Sequence, residues 1–207
     1  MDIIYKISLL LHIGFGALAL LSGIAAMILK KGGYNHKMAG KTFYYSMWLV
    51  VTIAIFIAVF KQLIFLFHIG VFAFYQNYFG YRALKDKMFK ANFLDWFVLL
   101  GTLVNGIFMV YTGQIILLIF GGISLLLIYN QFKIYRSVMK GIPLPKLLWL
   151  KQHIGLMMGS FIATVTAFVV VNVSTNSYYL QVALWLLPTV LLVPLSIYWQ
   201  NKFVKQK

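Results

Sequence analysis

Seven long apolar runs, parted by short loops that carry nearly all the charge, leave this chain few ways to fold. Crossing about 30 Å of hydrocarbon takes roughly 20 apolar residues at 1.5 Å each. The runs fall at 7–29, 42–60, 62–81, 94–111, 115–132, 153–172 and 179–199. The stretch 42–81 would reach about 60 Å as one straight helix, so two spans are expected there, turning at the charged break Lys61-Gln62. With 62% hydrophobic residues and a mean hydropathy of +0.89, a water-soluble domain could not cover its own apolar surface. The expected fold is an all-α polytopic membrane helix bundle of about seven transmembrane helices, one transmembrane domain over residues 1–207.

Charge orients that bundle. Eighteen Lys and Arg stand against three acids, for a net +15. If the N-terminus lies outside and the C-terminus is cytoplasmic, loops one, three and five and the C-terminal tail hold four, four, five and three basic residues, sixteen of the eighteen. Only Lys6 and Lys61 fall outside, as positive-inside topology requires. In a soluble protein such a charge would suggest nucleic acid. Between apolar runs it points instead to anionic lipid headgroups at the cytoplasmic face. The expected location is a bacterial plasma (inner) membrane, multi-pass. Without cysteine there are no disulfides, thiolate metal sites, iron–sulfur clusters or cysteine nucleophiles. The charge excess follows the first apolar run rather than preceding it, so that run is expected to remain as a helix, not a cleaved signal.

The first loop, Lys30 to Lys41, has two glycines for the turn and places His36 at the mouth of the next helix. The longest loop, 133–152, is expected to lie along the interface. Pro188 and Pro194 should bend the last helix, since each removes a backbone donor and crowds the preceding turn. Gly155, Gly159, Ala163 and Ala167 form a small-residue stripe that lets a neighbouring helix approach. Gly16, Ala19 and Gly23 share a face with His12. Such faces serve ordinary helix packing, or leave room for a flat cofactor.

Chemistry rests on four histidines. Counting from the span edges puts His12 about 8 Å and His68 about 10 Å below the outer surface, while His36 and His153 sit at the inner interface. A histidine inside lipid is costly and usually faces the bundle interior. Two neutral imidazoles facing each other can supply both axial ligands of a haem iron. His12 with His68, and His36 with His153, are therefore candidate ligand pairs for b-type haem, an outer and an inner one forming an electron path. Lys37, Lys41 and Lys151 are candidate partners for haem propionates. A redox partner or quinone is left open. On the other reading the histidines are structural, tying helices together in a non-enzymatic membrane module such as an accessory subunit or small transporter.

Other chemistry finds less support. The acids Asp2, Asp86 and Asp95 all lie at or near the interfaces, whereas a histidine–zinc hydrolase or a proton-coupled carrier typically needs a carboxylate in the membrane. Copper handling by His36/Met38 and His153/Met157 is conceivable, although methionines are more often filler. No phosphate-binding glycine loop or nucleophile elbow is present. No residue is put forward as catalytic, and no metal beyond haem iron is expected.

Three segments carry a family resemblance: Leu11-His12-Ile13-Gly14, His36-Lys37-Met38-Ala39-Gly40-Lys41 and Tyr81-Arg82-Ala83-Leu84-Lys85. Together the chain resembles an uncharacterised bacterial integral membrane-protein family, the domain of unknown function 2306 type. That pattern has a histidine in helix one, a His-Arg-x-x-Gly-Arg start to helix two and a basic end to helix three. Lysines replace the arginines here. A histidine often found at the start of helix four is replaced by Lys90-Ala91-Asn92. The resemblance implies a multi-helix inner-membrane protein and brings no established activity.

Overall fold

Where one helix stops and the next begins is set by local caps as much as by hydropathy. The computed structural model describes residues 2–204, which form seven helices. These are α1 (Asp2–Ile28), α2 (Tyr34–Phe60), α3 (Ile64–Lys85), α4 (Phe93–Tyr111), α5 (Ile115–Met139), α6 (Leu148–Asn172) and α7 (Tyr178–Val204). The tail lysines Lys205 and Lys207 lie outside the described residues.

The turn between α2 and α3 does fall at Lys61-Gln62. Gln62 takes the left-handed conformation (φ 56°), its N–H bonds Val59 O at 3.2 Å and that of Leu63 bonds Ala58 O at 2.8 Å. This is the Schellman closure that a glycine usually makes. At the end of α5 a glycine does make it: Gly141 (φ 68°) bonds Val138 O, and Ile142 bonds Ser137 O. Helix α5 therefore runs seven residues past the apolar run, and α6 begins five residues before its own. The expected interfacial loop 133–152 shrinks to 140–147, because the backbone stays helical until Gly141 and Pro143 stop it. Helix α2 likewise starts at Tyr34, so His36, Lys37 and Lys41 sit on its first turns rather than in a loop. Lys31 closes the end of α1, donating to Ala26 O at 3.1 Å and to Met27 O, while its ammonium lies over the Trp199 ring of α7. Burial lowers its pKa from the ordinary lysine value.

Six of the helices are long and apolar enough to cross a membrane, as in a multi-pass membrane protein. The exception is α3, which carries His68, Gln76 and Asn77 besides three tyrosines. It is also the centre of the bundle, packing against α2, α4, α5 and α6. A helix sheathed by other helices meets protein rather than lipid on most sides, so polar side chains there can find partners. Helices α1, α2, α3 and α6 close a ring, with α1 on α2, α2 on α3, α3 on α6 and α6 back on α1. Helices α4 and α5 pair beside α3, and α7 lies along α6.

One ion-pair cluster locks α3 to α4. Asp95 is fully buried and accepts from Arg82 Nε (3.0 Å), Arg82 Nη2 (3.1 Å), Tyr78 Oη (2.7 Å) and Asn92 N (2.9 Å). Asn92 returns the last bond by accepting from Asp95 N at 2.8 Å, completing a capping box. Arg82 also pairs with Asp86 at 3.2 Å. A buried carboxylate is tolerated only with its lone pairs filled in this way.

Candidate functional site

The four histidines all lie on the four ring helices, one on each: His12 on α1, His36 on α2, His68 on α3 and His153 on α6. Each is tied through Nδ1 to an oxygen on a different helix. His12 Nδ1 donates to Val50 O of α2 at 3.1 Å, and His36 Nδ1 donates to Ala26 O of α1 at 2.9 Å. His153 Nδ1 donates to Gly80 O of α3 at 2.9 Å. A carbonyl oxygen only accepts, so in each neutral ring Nδ1 carries the proton and Nε2 keeps its lone pair.

His68 reaches the same tautomer by a longer argument. Asn105 of α4 donates through Nδ2 to His68 O at 3.1 Å and to Met109 Sδ at 3.3 Å. That fixes the amide orientation, so Asn105 Oδ1 must accept, and His68 Nδ1 donates to it at 2.7 Å. Both residues are buried. Ligating histidines are held in this way, with the second nitrogen bonded to an oxygen and the ligating one left bare. The same bonds also serve as ties between helices, each worth about 0.6 kcal/mol and rarely above 1.7 in a membrane.

The ring brings one pair together. Helices α2 and α6 face each other across it and meet through long side chains. Thr164 Oγ1 donates to Met47 Sδ at 3.0 Å, and the Phe43 and Phe161 rings lie 6.2 Å apart. Numbers rise together in these contacts, so the two helices are parallel. Met47 and Thr164 are 117 residues apart, and His36 and His153 are separated by the same 117. The two imidazoles therefore share a level on facing helices, and they lie within electrostatic reach of each other.

The other pair is offset. His12 is level with Val50 of α2. The α2–α3 contacts Trp48–Phe74 and Ile55–Gly70 bracket that position, so the level of His12 falls between Gly70 and Phe74 on α3. His68 stands about one helical turn beyond it, roughly 5 Å. Its Nδ1 is turned outward, to α4.

Around the inner pair, Gly80 does two things. Its carbonyl orients His153, and its missing side chain admits α6, since a Cβ there would stand 2.8 Å from Met157 Sδ and 3.0 Å from Met157 N. Lys37, Lys41 and Lys151 are exposed on the first turns of α2 and α6, on the same end as the pair. A groove of about 250 Å³ opens beside His36, lined by Leu29, Lys30, Gly33, Tyr34 and Asn35. No cluster of three or more His or acidic side chains able to hold a bare metal ion occurs among the described residues.

Two partners were not visible as such in the sequence. Asn105 and Gly80 act through contacts with residues 37 and 73 positions away, which no local pattern reveals. Asp95 did leave a signal, an Asn three residues before an Asp at the head of an apolar run. Comparison with protein-family models, curated proteins and solved structures found no match for this chain.

Proposed function

We propose that this is a seven-span plasma-membrane protein that binds one b-type haem between His36 and His153 and serves in electron transfer. The observation that carries the reading is the shared level of two imidazoles on facing helices, each tied at Nδ1 and bare at Nε2. Haem b bound there would supply one-electron redox chemistry. The protein's part is to hold both rings at fixed tautomer through Ala26 O and Gly80 O, to cover the site on its deeper side with the Phe43 and Phe161 rings, and to offer Lys37, Lys41 and Lys151 to the propionates. The chemistry of the pair fits the group: two neutral nitrogen donors, no competing acid beside them, and cations at the membrane surface.

On this reading α3 crosses as the seventh span inside its sheath of helices, the N-terminus is outside, and the histidine pair is cytoplasmic, where basic loops meet anionic lipid. The resemblance in the helix-two motif is in keeping with it. Offset from each other, with His68 turned toward α4 and His12 toward α2, that pair is assigned to helix ties.

A reduced-minus-oxidised visible spectrum of protein purified from haem-replete cells tests the proposal. A sharp α-band and a shifted Soret are expected. A flat difference spectrum would leave all four histidines as ties, in an accessory or transport module. The second reading draws on the same Nδ1 bonds, each of which joins two helices.

A further inference from the structure

Between α2, α3 and α6, about two turns from His153, two buried polar atoms have no partner among the described residues: Asn77 Oδ1 and Ser160 Oγ. Asn77 is 1% exposed and Ser160 0%. Their levels agree through separate contacts. Asn77 Nδ2 donates to Tyr44 O of α2 at 3.1 Å. The Gln76 carboxamide lies against Gly159, so close that a Cβ there would overlap it, which places the next residues, Asn77 and Ser160, within a turn of each other on antiparallel helices. Ser160 also follows Phe43 at the same 117-residue spacing that relates α2 to α6.

Direction agrees as well. His153, Met157, Ser160 and Thr164 form one stripe of α6 at helical spacing, and Thr164 on that stripe reaches Met47 across the ring. The stripe therefore faces the ring interior. Ser46 of α2, 3% exposed, is one residue before Met47. Orphaned oxygens deep in a membrane protein have no lipid or bulk water to satisfy them.

We propose that this wedge is a binding site for an ordered water molecule. It donates to Asn77 Oδ1 and exchanges a hydrogen bond with Ser160 Oγ, giving α3 and α6 a shared node that their side chains do not make directly. Water suits the set because its members are neutral and include both an acceptor and a hydroxyl able to act either way. The inference is independent of haem.

The test uses the full-length protein. In liposomes, water-edited solid-state NMR should show rapid magnetisation transfer from water to the Asn77 side-chain amide, weakened in Ser160→Ala. In detergent, Ser160→Ala should lower Tm by about 2–4 °C, because it removes a bonded hydroxyl. A dry site gives the opposite sign: deleting an unpaired buried hydroxyl is neutral or stabilising. Absence of transfer, or an unchanged or raised Tm in Ser160→Ala, overturns the proposal. So does a Tm that climbs with sodium or potassium concentration at fixed ionic strength, which would make the occupant a cation.

Discussion

His36 with His153 and His12 with His68 are made of the same residue, on the same ring, with the same Nδ1 tie, and they differ in register. The first pair stands on parallel helices at matching levels. The second is separated by about a turn, with His68 facing a helix outside the ring. One turn is a small displacement for helix packing but a large one for a bidentate site, because two axial Fe–N bonds of roughly 2 Å each leave no slack. Counting residues from span edges put both pairs at common depth. Contacts between helices keep that result for one pair and separate the other.

The comparison breaks first at the ligands. His36→Ala and His153→Ala should each abolish the haem bands, whereas His12→Ala and His68→Ala should leave the difference spectrum in place. Next comes the support of the inner pair. Gly80→Ala puts a methyl against the Met157 backbone nitrogen, which cannot swing aside as a side chain could. The His153 tie should then lengthen, and haem titration should read an affinity loss of about 10–100-fold, the usual cost of a lost orienting partner.

The support of the outer pair gives a different readout. Asn105→Leu strips His68 of its partner in both directions, which should cost about 1–2 kcal/mol of unfolding free energy in detergent with the haem spectrum unchanged. The smallest effect belongs to the surface cations. Replacing Lys37, Lys41 and Lys151 together by Gln should lower the midpoint potential by on the order of tens of millivolts, since cations favour the reduced state, and should leave the band positions alone.

Much of the architecture was legible in the chain. Apolar runs located all seven helices, and Lys61-Gln62 marked a turn with no glycine or proline to announce it. Helix ends were less legible: the apolar run reports hydropathy alone, while the backbone stays helical beyond it until a residue such as Gly141 or Pro143 stops it. That is why α2 reaches back to Tyr34 and takes His36 onto its first turn. The histidines stood out because they are costly in lipid. Their partners did not, since Val50, Ala26 and Gly80 act through backbone carbonyls, which every residue has. Asn105 is recognisable only once helix rotation is known, and hydropathy does not fix rotation.

The most direct test is a count of haem per chain, by pyridine haemochrome assay on the purified wild-type protein. The account predicts one, carried by His36 and His153. A value near two would mean that the offset pair also binds and that register does not discriminate between them; a value near zero would remove the site altogether.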